Sequence, residues 1–469
     1  FFFVAAHTLA YMAEACKEKG NAHVKSGEYQ AAREAYSQGI VLDPTNHVLY
    51  SNRAHANAML KLPHLAAADA LRCLELKPEW TKAHYRLAQA YMSMEGFRKA
   101  AEALQKGLQY AKGATKGEFE ALMREAKGNA AEGAGRGHEQ YDAWFTPPCT
   151  KPDSQRYSVA GNEAFFDRLV SEASGAEDNV VVRDLDVGTF GGGRGLFAKK
   201  DIPKGAAVFI DEPLCTVSFA ASLCCRCANR LPEKQDKFAC PACGAEKYCS
   251  ARCRELAQRT YHGSQCGRRA MQVAQYRDHC WRNDYPLESG YAPLMAMKIV
   301  GLTMQSPQYP CSTFDIPPFR HMSSLMDAPD PALVKKGDLC FPFENRWAQF
   351  DMIRQMLALE NNPWFDFEWY DRLWTLMIAN VIGGTTAVSA SIMSLGTFIN
   401  HSCEPNCHPC VGVGHAVTFK AQRDIKKGEQ LLSFYTDLER PVEERRGALE
   451  EQYLFTCKCP RCLREAGEE

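Results

Sequence analysis

The 469-residue sequence predicts a multidomain α+β protein. An all-helical repeat array comes first, then a β-rich domain interrupted by a metal-held insert and closed by a metal-binding tail. Three observations carry this. Residues 1–112 overlay on themselves when shifted by 34 positions. Residues 216–268 gather cysteines in close pairs, and the chain closes with Cys457-Lys458-Cys459-Pro460-Arg461-Cys462. Between them, Gly396-Thr397-Phe398-Ile399-Asn400-His401-Ser402-Cys403-Glu404-Pro405-Asn406-Cys407 packs Asn, His, Ser and Cys into consecutive positions before a Pro-Asn turn. That cluster has little use in a core or an ordinary loop.

Composition bounds the reading. The chain is 46% hydrophobic and 24% charged, ordinary for a globular protein, with room for about two to four domains. A net charge of −1 argues against a dedicated nucleic-acid binder. No apolar run reaches the ~20 residues that a membrane helix needs, so no membrane partner is expected. The opening Phe1-Phe2-Phe3-Val4-Ala5-Ala6 is apolar but lacks an initiator Met and a basic n-region. It reads as the start of a fragment, not as a signal peptide. Most of the 21 cysteines fall in metal-type spacings, which suits a reducing compartment, cytosol or nucleus.

Within residues 1–112, Gly20, Ala54 and Ala88 fall in register, as do Ala32, Ala66 and Ala100, and Pro44 falls on Pro78. A 34-residue period with small residues at helix contacts is the tetratricopeptide (TPR) signature. The small residues let paired helices approach, and each Pro ends a second helix. Three such repeats are about the minimum for a stable array. Lys17, Asn21, Asn52, Lys82 and Arg86 fall on the first helices of their repeats. With the strings KEKGN, VLYSNR and LKPEWTKAHYR, they resemble the two-carboxylate clamp of TPR co-chaperones. That resemblance implies as partner the acidic Glu-Glu-Val-Asp C-terminus of a heat-shock chaperone, and carboxylates want such convergent charged and amide donors.

Residues 113–160 read as a linker: a short helix over 119–127 dissolves into glycines 128–137, followed by Pro147-Pro148 and Pro152. Residues 161–215 begin a β-rich domain. Val180-Val181-Val182 reads as a buried strand, and a glycine loop (Gly191-Gly192-Gly193-Arg194-Gly195) precedes the turn Ile202-Pro203-Lys204-Gly205 and a strand over 206–210. A dinucleotide fingerprint must open onto a helix; Pro203 and Gly205 break this chain between two strands, so the Rossmann reading fails.

Residues 216–268 hold Cys224-x-x-Cys227, Cys240-x-x-Cys243, Cys249-x-x-x-Cys253 and His262-x-x-x-Cys266. Eight N/S ligands mean two tetrahedral zincs, and so short an insert depends on metal for its fold. Spacing alone leaves sequential and interleaved pairing both open. Cys225 reads as a bystander. Residues 269–375 are a helical insert, with helical periodicity over 345–360 and 367–382. Residues 376–440 carry the Asn400–Cys407 cluster and Arg423-Asp424-Ile425-Lys426-Lys427-Gly428-Glu429-Gln430-Leu431-Leu432-Ser433-Phe434-Tyr435, a turn and then a strand. Residues 441–469 form the tail, whose three cysteines need a fourth ligand. Cys403 is the natural donor, which brings the expected zinc count to three.

The strings NHSC-x-PNC, RDI-x-x-GEQ-x-x-x-x-Y and the terminal C-x-C-x-x-C resemble the SET domain of protein lysine methyltransferases. With the paired-cysteine insert the resemblance narrows to the SET-and-MYND (SMYD) family over roughly residues 180–463. It implies a TPR array, a SET domain split by a two-zinc MYND finger and a helical insert, and a post-SET zinc tail. It further implies interleaved finger ligands, with Cys224, Cys227, Cys249 and Cys253 on one zinc, and a proline-rich peptide as the finger's partner. The implied cofactor is S-adenosylmethionine, approached by Gly193, Arg194, Gly195, Asn380, Asn400 and His401. Tyr435 becomes the catalytic residue where the methyl passes, and Tyr453 and Phe455 line a tunnel for the substrate protein's lysine. The expected function is a protein lysine N-methyltransferase acting on a histone or another protein. The rival is an adaptor linking chaperones to partners through TPR and MYND after its SET domain lost activity; intact Asn400, His401 and Tyr435 favour the enzyme.

Overall fold

A computed structural model describes residues 2–133, 158–185, 193–233, 237–282, 287–316, 319–322, 343–383, 389–411, 416–453 and 455–468. The breaks expected at Pro147, Pro148 and Pro152, and the glycines Gly191 and Gly192, lie outside them. The chain forms two compact units. No helix among the described residues is long and apolar enough to cross a membrane.

The first unit joins Phe1–Cys149 to Asp338–Asp351 and Leu359–Trp369. Its helices are α1 (Phe2–Lys25), α2 (Tyr29–Leu42), α3 (His47–Met59), α4 (Pro63–Leu76), α5 (Thr81–Ser93), α6 (Phe97–Leu108) and α7 (Ala114–Gly133), each packed on the next. The in-register alanines Ala32, Ala54, Ala66, Ala88 and Ala100 are fully buried at these contacts. Glycine is required where helices touch most closely: a Cβ on Gly107 would lie 2.6 Å from the Cβ of His84. The Asn46 side chain caps α3 by accepting from the Val48 N–H at 3.2 Å, and Pro63 opens α4, where its missing N–H costs nothing.

Two expectations give way here. The helix α7 runs on through Gly128 to Gly133 instead of dissolving after residue 127. Phe119, Met123 and Ala126, at helical spacing, are buried, and the Phe119 ring lies 5.4 Å from that of Tyr85. Burying that face outweighs the ~1 kcal/mol that each helical glycine costs. The insert over 269–375 is also not one body, since residues 338–351 and 359–369 cluster with the array. The Arg53 guanidinium grips Asp69 at 2.9 and 2.7 Å and reaches Asp366 at 3.2 Å. Arg33 pairs with Glu368, and Arg72 donates to Asn361 Oδ1 at 2.8 Å. Buried arginines need such partners, and the segment supplies them.

The second unit is the β-rich body. Strands β1 (Val180–Asp184) and β2 (Arg194–Ala198) form an antiparallel pair. Strands β3 (Ala207–Asp211), β4 (Pro213–Ser218), β5 (Val381–Gly383), β6 (Ser389–Met393), β7 (Asn400–His401), β8 (Cys407–Val411), β9 (Val417–Ala421) and β10 (Leu432–Ser433) follow. They pair in the orders β3-β9-β8, β4-β6-β5 and β10-β7. Val180, Val182, Leu196, Val208, Phe209, Phe398, Phe419 and Leu431 pack into one core, where the Phe209 and Phe419 rings stack at 4.6 Å. Val180 and Val182, two apart on β1, face this core with Val181 between them less buried, as a strand with one buried face requires.

Candidate active site and metal centres

The Asn400 segment is set by strand pairing. β7 runs parallel to β10, with Asn400 opposite Leu432 and His401 opposite Ser433. Asn406, fully buried, holds the two motifs together. Its Oδ1 accepts from the Leu432 N–H at 2.8 Å, and its Nδ2 donates to the Gln430 carbonyl at 2.8 Å. On the other side Asp211, at the end of β3, accepts the Gly396 N–H at 2.6 Å and so pins the turn that leads into Asn400. Burial pushes the Asp211 carboxyl up to about 7, against the pull of the Gly396, Leu395 and Ser394 N–H groups. No motif marked Asp211 in the sequence.

Asn400 Nδ2 donates to the Arg194 carbonyl at 2.8 Å, bringing the glycine loop alongside. The Arg194 guanidinium lies over aromatic rings, 4.8 Å from the Phe398 ring centre and 5.4 Å from that of Phe166. Gly193 takes φ +103°, a conformation that glycine tolerates. A Cβ on Gly195 would lie 2.6 Å from Gln430 Nε2 and 3.0 Å from Asn400 Nδ2. Gln430 Nε2 is itself buried and finds no hydrogen-bond acceptor among the described residues. Bare backbone beside an unused buried donor fits a ligand rich in acceptors, as the cofactor implied by the motifs would be.

His401 has both ring nitrogens engaged. Nδ1 accepts the Tyr435 N–H at 3.0 Å, and Nε2 lies 3.4 Å from Cys403 Sγ. Burial lowers its pKa to about 4, so the ring is neutral. The imidazole therefore links Tyr435 to the tail cluster. The Tyr435 hydroxyl donates to the Ile399 carbonyl at 2.6 Å, and burial raises its pKa. Its ring lies 4.9 Å from that of Tyr453, and the Phe455 ring lies 6.0 Å from that of His401. The described contacts thus gather Arg194, Gly195, Asn400, His401, Gln430, Tyr435, Tyr453 and Phe455. Asn380, buried at the end of its helix, donates to the Leu376 carbonyl at 2.8 Å within that same helix.

Three clusters can hold metal: Cys224, Cys227, Cys249 and Cys253; Cys240, Cys243, His262 and Cys266; and Cys403, Cys457, Cys459 and Cys462. The finger is interleaved, an order that spacing had left open. A tetrahedral zinc with Zn–S near 2.3 Å places sulfurs about 3.8 Å apart. Cys227–Cys249, Cys249–Cys253 and Cys253–Cys227 stand at 3.6, 3.6 and 3.7 Å, Cys240–Cys266 at 3.7 Å and Cys403–Cys462 at 3.4 Å. These donor sets fit zinc. His262 offers Nε2, 3.5 Å from Cys243 Sγ, while its Nδ1 faces Glu246 at 3.6 Å. Glu246 is fixed by the hydroxyls of Tyr248 at 2.7 Å and Tyr261 at 2.9 Å. A carboxylate behind a ligating histidine is a common outer-sphere device, and no spacing rule would have found it. Cys225 takes the Lys247 N–H and an Arg277 N–H instead of joining either cluster.

In the first unit, Asn21 Oδ1 accepts from Tyr36 Oη at 2.9 Å and from Asn52 Nδ2 at 3.2 Å. The Asn21 amide is thereby oriented with its donor pointing away from both. Arg86 donates to the Ser51 carbonyl and to Ser51 Oγ, the latter at 2.6 Å. Lys17 pairs with Glu14 at 2.5 Å, and Lys82 is exposed with no ion pair among the described residues. Four of the five clamp candidates therefore lie in or beside side-chain networks, and Lys82 is one turn from Arg86 on α5. Tyr36, which orients Asn21, carried no sequence signal.

A SET domain family model matches residues 193–436, and a TPR repeat model matches residues 20–61. "Hsp70-Hsp90 organizing protein" of Triticum aestivum is 43% identical over 97 residues, covering 21% of this chain and 17% of that protein. "Histone-lysine N-methyltransferase SET5" of Yarrowia lipolytica is 26% identical over 293 residues, 59% of this chain and 63% of that protein. "Protein-lysine N-trimethyltransferase SMYD5" of Mus musculus is 27% identical over 393 residues, 65% of this chain and 91% of that protein. The chain spans less than two thirds of the length of the first two. With more than half of its residues under one family model, and the Asn400–Tyr435 segments paired as described, the chain belongs to the SET domain family.

Proposed function

We propose that the chain is an S-adenosylmethionine-dependent protein lysine N-methyltransferase that is directed to its targets by its TPR array. One observation carries the reading. Asn400 is fastened to the Arg194 carbonyl beside Gly195, and the Tyr435 hydroxyl to the Ile399 carbonyl just before Asn400, so the glycine backbone and the aromatic cluster share one short segment. S-adenosylmethionine supplies, when bound, a methyl group on a sulfonium that a neutral amine can displace in line. Gly195, Asn400 and Gln430 are the residues to hold it.

The chain's own groups do the rest. Tyr435 has committed its proton to Ile399 and stays neutral, which leaves its oxygen free to accept an N–H of the substrate lysine. Accepting that N–H turns the amine lone pair away from the phenol and toward the methyl donor. Tyr453 and Phe455 wall the lysine stem, exclude water and suit a passing cation. The wheat relative is by name an Hsp70-Hsp90 organizing protein, and the oriented Asn21, Asn52 and Arg86 support extending to this array a chaperone's acidic C-terminus. For the MYND finger a proline-rich peptide is the partner proposed, on family resemblance, and cytosol or nucleus is the compartment. The test is transfer of labelled methyl groups into a cell extract, with Tyr435→Phe as control. Labelled lysine in the wild-type reaction alone supports the reading; no label from either protein refutes it.

A further inference from the structure

Arg445 is among the most buried large side chains in the chain, 1% exposed, and lies in the helix Val442–Tyr453. Its Nε donates to Cys403 Sγ at 3.3 Å and its Nη2 to Cys462 Sγ at 3.7 Å. The guanidinium is fixed from behind by Glu465, 2.6 Å from Nη2, and by the Arg440 carbonyl, 2.5 Å from Nη1. Glu465 is shared with Arg461 at 2.7 Å, so the two arginines and one glutamate leave one net positive charge beside the sulfurs. Four thiolates on one divalent zinc carry two net negative charges. In a buried setting that excess is costly unless an opposite charge and hydrogen bonds meet it.

We propose that Arg445 is the outer-sphere partner of the tail zinc. Its planar fork spans the thiolates of Cys403 and Cys462, offsets part of the cluster's charge and lowers the nucleophilicity of those two sulfurs. Lysine would offer a point charge in place of a fork. Arg445 also stands two helical turns before Tyr453, so the same bonds tie the metal to the helix that carries one wall of the proposed lysine tunnel. Arg445 acts through the metal cluster and is a positioning residue. The inference rests on zinc occupying the tail cluster, which elemental analysis of the full chain tests first. A wild-type chain holding zinc in the finger alone overturns both.

The direct test is alkylation of the zinc-loaded full chain by iodoacetamide at fixed pH, mapped cysteine by cysteine by peptide mass spectrometry. Charge-assisted hydrogen bonds to sulfur are expected to slow attack about tenfold or more. Arg445→Met should therefore speed alkylation of Cys403 and Cys462 about tenfold over Cys457 and Cys459, whose sulfurs receive no guanidinium hydrogen bond among the described residues. Arg445→Lys should restore protection in part, and the finger cysteines serve as internal controls. Equal acceleration of all four tail cysteines would mean that the tail simply opens, and would overturn the proposal. So would unchanged rates at Cys403 and Cys462. Where the Met variant fails to fold, the Lys variant decides: wild-type rates at both sulfurs overturn the bidentate role.

Discussion

Replacing Tyr435 by Phe removes one oxygen and keeps the ring that packs 4.9 Å from Tyr453. Two consequences separate cleanly. The Ile399 carbonyl loses its donor at 2.6 Å, and Ile399 is 4% exposed, so folding stability should fall by about 1–3 kcal/mol. Methyl transfer should slow about 10²-fold, roughly 2.7 kcal/mol of transition-state stabilisation, because the substrate amine loses the acceptor that orients it. Cofactor affinity should barely move, since the contacts joining Gly195, Asn400 and Gln430 do not involve the phenol oxygen. The assay is initial rates at saturating S-adenosylmethionine, with calorimetric titration of the cofactor and a thermal melt on the same samples. Full activity would return Tyr435 to packing. A rate loss that merely follows the folded fraction would do the same.

Zinc content should be three ions per chain, matching the three clusters; Cys403→Ser should lower it to two and loosen the tail to limited proteolysis, and three retained ions would sink the shared site. The TPR array should bind a free Glu-Glu-Val-Asp terminus with micromolar affinity, about −8 kcal/mol, weakened by salt and lost on amidating the peptide. Lys82→Glu is the cleaner variant there, because Arg86→Ala also removes two bonds to Ser51; equal calorimetric affinities for free and amidated peptide would refute the clamp. Asp211 makes a pH prediction. Its folded-state pKa, about 7, stands above the unfolded value near 3.8, so the folded chain holds the proton that the unfolded chain has released between those values. Stability should fall as pH rises through that window, by at most ~1.4 kcal/mol per unit, and level off above it. Asp211→Asn should remove the slope, and denaturant melts in which wild type and variant differ by a constant from pH 4 to 7 would refute the assignment.

The sequence determined what recurs or what chelates. A 34-residue period announced α1 to α6, because stacked helices need small residues at fixed intervals. Cysteine pairs announced three metal clusters, because ligands of one ion must lie close along at least part of the chain. The Asn400–Cys407 and Gly428–Tyr435 segments announced a site for the same reason: unusual polar residues adjacent in sequence stay adjacent in space. What needed the tertiary structure was whatever joins distant segments through ordinary residues. Asp211 pins the turn at Gly396 from 185 positions away, Arg445 reaches Cys403 from 42, and Asp366 meets Arg53 across 313. None belongs to a motif, since a lone Asp or Arg reads as solvated surface until burial forces it to find a partner. The interleaving of the finger ligands, the seating of the Arg194 guanidinium over Phe398 and Phe166 and the capture of both His401 nitrogens were decided the same way. Local spacing constrains which atoms can meet; packing and the cost of an unpaired buried charge decide which of them do.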